Sequence, residues 1–118
     1  MTIKRINPGP RMSQAVAYGG LVYLAGQVAD DPAADVAGQT RQVLGKIDDL
    51  LAEAGADRSR ILSANIWLAD IATFGQMNTV WDAWVDPANP PARATVEARL
   101  AAPQFRVEIA VVAATGRE

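Results

Sequence analysis

Cysteine and histidine are both absent from the 118 residues of this chain. Disulfides, thiolate nucleophiles, Ser-His-Asp and Cys-His catalytic groups, and zinc sites built on Cys or His are therefore excluded. Lysine is scarce as well, because Lys4 and Lys46 are the two that occur, and this leaves few candidates for Schiff-base chemistry. Any reaction must rest on carboxylates, arginine, hydroxyls, amides and the backbone.

Long apolar runs and an excess of positive charge are also missing. No segment approaches the roughly twenty apolar residues of a membrane span, and the first residues lack an apolar run of signal-peptide length. We therefore expect a cytoplasmic protein with no membrane partner. Eleven basic and thirteen acidic residues give a net charge of −2, and the isoelectric point is near 5.0. Because phosphate binding needs a basic surface, we expect no nucleic-acid partner.

The composition that remains fits one ordinary globular domain over residues 1–118, since half of the residues are apolar and a fifth are charged. Gly19-Gly20 between two apolar runs predicts a tight hairpin. Amphipathic spacing predicts helices over residues 35–54 and 73–85, with Thr73 as a good N-cap. The predicted strands are Ser13–Tyr18 and residues 21–29, 61–69, 93–99 and 106–114. The order is ββαβαββ, with room for a short N-terminal strand.

This order predicts an α+β fold, in which two helices pack on one face of a mixed sheet. The last strand is apolar on both faces: Val107 and Ile109 point to one side, and Ala110 and Val112 point to the other. Strands that are apolar on both sides indicate that both faces are covered. A second copy of the chain is the simplest cover for the helix-free face, so we expect a closed homo-oligomer.

Arg93 stands just after two prolines, at the start of a predicted strand. Period-2 alternation places Ala94 and Val96 on one face and Arg93 with Thr95 on the other. The small apolar set suits the core, which assigns Arg93 to the oligomer face. There it forms either an ion pair between subunits, which ordinary interface composition favours, or a receptor for an anionic ligand.

Glu108 lies in the most apolar strand, where a carboxylate must be paired or perturbed. It is either a partner for Arg93 or Arg106, or a general base that positions water. The sequence has no phosphate-binding glycine loop, and its paired aspartates lack the spacing of a calcium loop. We therefore expect no cofactor and no metal.

Several motifs, read in chain order, resemble those of the RidA (YjgF/UK114) family. The motifs are Gly9-Pro10, Ser13-Gln14-Ala15-Val16, Gly26-Gln27-Val28, Gln39-Thr40-Arg41-Gln42-Val43-Leu44, Met77-Asn78, Pro91-Ala92-Arg93-Ala94-Thr95-Val96-Glu97 and Val107-Glu108-Ile109. They extend from about residue 7 to residue 114, and the PAR-x-x-VE block followed by VEI is the most specific. The first helix and residues 61–69 look closest to the YoaB-like branch.

The resemblance implies a chorismate-mutase-like fold and a homotrimer with ligand clefts between subunits. It also implies cofactor-free hydrolysis of reactive 2-imino acids to 2-oxo acids and ammonia. Arg93 matches the carboxylate-binding arginine of the family, and Glu108 matches the glutamate that handles the attacking water. Asn78 matches an asparagine that shapes the pocket, and Gly26 and Thr95 fall where the family lines its cleft.

Two positions depart from the family pattern. Met12, preceded by Arg11, stands where family deaminases carry a tyrosine, and Ala25 stands where they often carry a serine. Two hydroxyl contacts to substrate are therefore missing, and Arg11 would be a second anion contact. The sequence thus predicts an imine deaminase, with a non-catalytic trimer that binds small carboxylic acids as the alternative. Ribonuclease activity, ascribed to some relatives, is the weakest hypothesis because the chain is acidic and lacks histidine.

Overall fold

The computed structural model describes residues 1–116, which form one mixed sheet and two α-helices. The helices are α1 (Val36–Glu53) and α2 (Phe74–Trp84). The strands are β1 (Lys4–Pro8), β2 (Ser13–Tyr18), β3 (Leu21–Leu24), β4 (Ile61–Leu68), β5 (Ala92–Glu97) and β6 (Val107–Ala114). The predicted order of elements is confirmed, and the optional N-terminal strand is present as β1.

The six strands lie in the order β1-β2-β3-β6-β4-β5. The β4–β5 pair is parallel and every other pair is antiparallel, so the sheet is mixed. Strands β1 and β5 form its two edges. The position of β5 matters for function, because an edge strand leaves one side of its backbone without a strand neighbour.

The hairpin between β2 and β3 forms where the glycines predict it. Gly19 and Gly20 have φ angles of +62° and +82°, and both lie in the left-handed region that a two-residue hairpin turn requires. The predicted strand over residues 21–29 is too long, because the ladder of β3 ends at Leu24. Beyond it, only Gln27 rejoins the sheet, through an isolated bridge to Ile109.

Local signals set the ends of the helices. The Asp35 carboxylate accepts a hydrogen bond of 2.9 Å from the backbone N–H of Gly38 and caps α1. Gly55, with a φ of +79°, follows the last residue of that helix. Thr73 precedes α2 as predicted but does not cap it with its side chain, because its hydroxyl donates to the backbone oxygen of Asp70 instead.

A short 3₁₀ turn over Arg58–Arg60 leads into β4, and Asp57 caps it. The Asp57 carboxylate accepts hydrogen bonds from the hydroxyl and the backbone N–H of Ser59. These bonds, helped by the charge of Arg60, hold the pKa of Asp57 below its ordinary value.

Both helices pack on one face of the sheet, and their buried side chains form a single core with it. In β6, Val107, Ile109, Val111 and Ala113 point into this core. The opposite, helix-free face carries apolar side chains as well, and Tyr23 and Val96 on it are 48% and 50% exposed. The two-sided apolar character predicted for the sheet is therefore present.

Candidate functional site

Arg93 lies on the helix-covered face of β5, and the prediction that it faces the helix-free side is wrong. In the β4–β5 register it lies beside Ala64, which points into the core. Its Nη1 donates a hydrogen bond of 2.7 Å to Oδ1 of Asn78 on α2. The prediction assumed that the small apolar residues Ala94 and Val96 face the core. They lie instead on the helix-free face, which is also apolar.

Aromatic rings hold the Arg93 guanidinium against α2. Its central carbon lies 5.6 Å from the ring centroid of Phe74 and 5.2 Å from that of Trp81. A guanidinium over an aromatic face is attracted by the quadrupole of the ring. Together with the Asn78 hydrogen bond, these contacts give a half-buried, permanently charged group a fixed orientation before any ligand binds.

No carboxylate pairs with Arg93 within residues 1–116. The ion pairs in this part of the chain join Lys46 to Asp30 and Arg58 to Asp48. The guanidinium therefore keeps N–H groups that can donate to an anion in the forked geometry that suits a carboxylate. An ion pair with another subunit, the alternative that the sequence favoured, stays a prediction.

Glu108 lies on the helix-free face, directly across the ladder from Trp67 of β4. A Cβ atom built on Gly26 would lie 2.0 Å from Oε2 of this carboxylate, so the Glu108 side chain rests against the Gly26 backbone. Across the described chain, Glu108 forms no hydrogen bond and no ion pair with Arg93, Arg106 or any other residue. Glu108 therefore has no arginine partner within one described chain, and both alternatives, a pairing between subunits and a general base, stay predictions.

Arg93 and Glu108 consequently lie on opposite faces of the same sheet. Arg93 shares its face with Ala64, and Glu108 shares the other face with Trp67, which alternates with buried residues along β4. Side chains on opposite faces of one sheet point away from each other. One chain therefore cannot present both groups to one small ligand.

Two hydrogen-bonded amide side chains, the buried Gln27 and the partly buried Gln14, build the turn beside Glu108, and they were not predicted from the sequence. The side chain of Gln27, nearly inaccessible to solvent, donates to Oε1 of Gln14 and to the backbone oxygen of Ala25, each at 3.0 Å. The Ala25 backbone N–H in turn donates to the Gln14 backbone oxygen at 2.9 Å. These bonds fix Ala25 and Gly26 next to the carboxylate. The sequence signal that could have revealed these bonds is Gln27, a glutamine that lies between apolar strands.

Of the remaining predicted residues, Thr95 lies with Arg93, whereas Arg11 and Met12 lie with neither charged group. Thr95 follows Arg93 by two positions and shares its helix-covered face. Arg11 and Met12 lie in the exposed turn between β1 and β2, which a 2.7 Å hydrogen bond from the Gly9 N–H to the Met12 oxygen closes. Neither one hydrogen-bonds or ion-pairs with Arg93 or Glu108 in the part of the chain described.

Within residues 1–116, no group of three or more acidic, histidine or cysteine side chains is placed to hold a metal ion. None of the helices in the same range has the length and hydropathy needed to cross a membrane.

The class of protein follows from these features: a small α+β protein whose sheet edge presents an arginine that no carboxylate of the described chain neutralises. A family sequence model described as Endoribonuclease L-PSP matches residues 2–115. The chain belongs to this family, known as the RidA (YjgF/UK114) family, and the relatives support its YoaB-like branch.

Two bacterial relatives cover nearly the whole chain. A RutC family protein of Haemophilus influenzae is 49% identical over 114 residues, with 96% of this chain and 98% of the relative covered. The RutC family protein YoaB of Escherichia coli is 43% identical over 114 residues, with 97% and 99% covered.

The chain is also similar to a solved structure and to a relative whose name states an activity. The crystal structure of a YjgF family member from Neisseria meningitidis matches with a TM-score of 0.95 at 46% identity, covering 100% of this chain and 98% of that one. The rat protein named 2-iminobutanoate/2-iminopropanoate deaminase is 31% identical over 110 residues, with 88% of this chain and 80% of the rat protein covered.

Proposed function

We propose that this protein hydrolyses 2-imino acids, and the enamines in equilibrium with them, to 2-oxo acids and ammonia. The observation that carries the proposal is the state of Arg93. Its guanidinium is half-buried, is held by Asn78 and two aromatic rings, and has no carboxylate partner in residues 1–116. Such a group is preorganised to bind the carboxylate of a small acid.

In the proposed reaction, Arg93 binds the substrate carboxylate and thereby places the carbon of the C=N bond. Glu108 accepts a proton from a water molecule as the water oxygen attacks that carbon. The carboxyl group then gives this proton to nitrogen, which leaves a carbinolamine with an OH and an NH2 group on the same carbon. The hydroxyl proton of the carbinolamine next moves to nitrogen through the same carboxyl group, the C–N bond breaks, and ammonia leaves as the C=O bond forms. The lack of hydrogen-bond partners for Glu108 in the described chain suits this role, because its oxygens are available to water.

The active cleft is proposed to lie between subunits of a homotrimer. Arg93 and Glu108 of one chain point away from each other, so a shared cleft needs Arg93 from one subunit and Glu108 from its neighbour. The exposed apolar residues of the helix-free face, such as Tyr23 and Val96, suit burial against another copy. Gly26 would line the cleft on the Glu108 side, and Thr95 would line it on the Arg93 side.

The name of the rat relative supports a deaminase, and two residues favour a second candidate function. Neither Met12 nor Ala25 has a side-chain hydroxyl to offer to a substrate, although Met12 is 47% exposed. A trimer that binds small carboxylic acids without turning them over would tolerate both residues. This second candidate predicts saturable binding of 2-oxo acids and no imine hydrolysis.

A coupled assay tests the proposed function. An amino-acid oxidase generates 2-iminobutanoate in the presence of semicarbazide, and the rate of semicarbazone formation is followed with and without the protein. The wild type should suppress that rate. Arg93→Ala should reduce kcat/KM by at least about 100-fold, because charge-assisted hydrogen bonds to the carboxylate are lost.

Arg58→Ala is the matched control. Arg58 also stacks on a tryptophan, at 5.1 Å from the Trp84 ring centroid, but its charge is neutralised by an ion pair with Asp48. We expect this variant to retain wild-type kcat/KM. No suppression by wild-type protein that still binds 2-oxobutanoate would replace the deaminase with the binding protein. Equal losses in both variants would contradict the role assigned to Arg93.

A further inference from the structure

The dipeptide Ala25-Gly26 lies outside the sheet ladder, between the end of β3 and the bridge from Gln27 to Ile109. Gly26 forms no hydrogen bond of its own within residues 1–116. It nevertheless provides the surface against which the Glu108 carboxylate rests. The position of that surface is therefore set by the residues on either side of Gly26.

The side chain of Gln27 holds this dipeptide in one orientation. Both hydrogens on its Nε2 are used, one toward Oε1 of Gln14 in β2 and one toward the backbone oxygen of Ala25, each at 3.0 Å. The Ala25 oxygen belongs to the peptide group that joins Ala25 to Gly26. Because Gln27 is only 3% exposed, the loss of either partner would leave a buried polar group unsatisfied.

The backbone of Gln27 holds the same segment against the strand that carries Glu108. Its N–H donates to the Ile109 oxygen at 2.8 Å, and its oxygen accepts from the Ile109 N–H at 3.2 Å. Ile109 is buried and directly follows Glu108 in β6. Gln27 thus sets the distance of Gly26 from β6 through its backbone and the orientation of the preceding peptide group through its side chain.

We propose that Gln27 is a positioning residue for the reaction, because its buried amide holds Gly26 where the Glu108 carboxylate packs against it; this inference rests on the proposed function. Gln27 touches neither substrate nor water in this role and acts through Gly26. Its effect is to fix the direction from which the carboxylate meets the attacking water. A reacting group displaced by about 1 Å can lose about 100-fold in rate, so this support bears directly on turnover.

A positioning role and a purely structural role predict different kinetics. A structural amide lowers stability when it is removed, but each folded molecule keeps its turnover rate. A positioning residue lowers kcat and leaves KM nearly unchanged, because binding of the substrate carboxylate is assigned to Arg93 on the opposite face of the sheet. The split between kcat and KM therefore distinguishes the two roles.

The test uses two substitutions in the amide pair and one elsewhere, all in the full-length protein. Gln27→Met keeps the length of the side chain and removes both of its hydrogen bonds. Gln14→Met removes the bond between the two amides and leaves the bond to the Ala25 oxygen. Thr40→Val, the control, removes a buried side-chain hydrogen bond of 2.7 Å to the Val36 oxygen in α1.

Four properties are measured for each variant and for wild type. Light scattering checks assembly, and the thermal midpoint reports stability. The third measurement gives kcat and KM for 2-iminobutanoate at a temperature well below every midpoint. The fourth is the carbon-13 NMR signal of the Glu108 carboxylate, which is assigned by its absence in Glu108→Gln and reports the surroundings of this group without any turnover.

Gln27→Met should lower kcat about tenfold, keep KM within about threefold of wild type and shift the Glu108 signal. Gln14→Met should lower kcat less, about threefold, since the bond to the Ala25 oxygen remains. Thr40→Val should lower the midpoint and leave kcat, KM and the Glu108 signal unchanged. If Gln27→Met does not assemble, Gln14→Met carries the same comparison.

The outcomes separate failure of this inference from failure of the proposed function. Wild-type kcat in Gln27→Met, or a lowered kcat with an unshifted Glu108 signal, overturns the inference alone. Equal losses of kcat in Gln27→Met and Thr40→Val also overturn it. A wild type without turnover, whose Glu108 signal still shifts in Gln27→Met, supports the positioning of the carboxylate and removes the deaminase. Absence of both turnover and shift overturns both.

Discussion

At the scale of single residues, Gly26 determines where the Glu108 carboxylate lies. The absence of a side chain at Gly26 allows Oε2 to approach to a distance where a Cβ atom would be only 2.0 Å away. The nearest atoms are the far end of a flexible side chain, so a substitution at Gly26 displaces the carboxylate and leaves the backbone intact.

We therefore expect Gly26→Ala to fold and assemble like wild type but to lose at least about tenfold in kcat for imine hydrolysis. The matched control is Gly45→Ala in the middle of α1, where an added Cβ meets no atom within 4 Å. Gly45→Ala should raise the free energy of unfolding by about 0.5–1 kcal/mol and leave kcat unchanged. Wild-type kcat in Gly26→Ala would argue against a catalytic role for the Glu108 position.

Strand alternation singled out Arg93, and the apolar surroundings in sequence singled out Glu108, but Arg93 was assigned to the wrong face. Strand alternation fixes which residues share a face, but not which face meets the helices. Because both faces of this sheet are apolar, residue size could not assign the orientation of β5. The contacts that orient Arg93 come from Phe74, Asn78 and Trp81, which are distant from it in sequence.

At the scale of the elements, Gln39 connects α1 to the loops at one end of the sheet. It is fully buried, and its side-chain nitrogen lies within 3.1 Å of the backbone oxygens of Pro32, Ala34 and Gln104. Its side-chain oxygen accepts from the backbone N–H of Arg106 at 2.9 Å. One amide thus satisfies backbone groups of two loops, the one before α1 and the one before β6.

Gln39→Leu should lower the free energy of unfolding by about 3–5 kcal/mol, because several buried backbone groups lose their partner at once. Chemical denaturation at fixed protein concentration measures this. Gln76→Leu, on the exposed side of α2, is the control and should change the free energy of unfolding by less than about 0.5 kcal/mol. Similar values for the two variants would contradict the connecting role of Gln39.

Periodicity predicted the elements better than it predicted their polar interior. The helices and the later strands agree with the predicted ranges to within two residues, because their apolar spacing is long and regular. Strand β3 was predicted five residues too long, because apolar residues continue past Leu24 while the chain leaves the ladder. Gln27 and Gln39 were not recognised as buried, because their partners are backbone and side-chain groups that only the fold brings near.

At the scale of the whole molecule, the helix-free face and the separation of Arg93 from Glu108 lead to the same proposal. The face exposes Tyr23 and Val96, and one chain cannot join the two charged groups. Assembly of three chains would cover the apolar surface and complete the cleft in one step. The trimer, the cytoplasmic location and the absence of a cofactor stay predictions.

The most direct test of this account is complementation between two inactive variants. Arg93→Ala and Glu108→Gln are prepared separately, and imine hydrolysis is measured for each one alone. Equal amounts are then unfolded together and refolded, so that subunits mix at random, and light scattering checks that the assembly forms. The same protocol applied to each variant alone is the control.

A cleft shared between subunits needs an intact Arg93 from one chain and an intact Glu108 from its neighbour. Random mixing then restores about a quarter of the clefts, so the mixture should show about a quarter of wild-type activity although each parent is inactive. A mixture as inactive as its parents would contradict the shared cleft, because a site built within one chain is never restored by mixing.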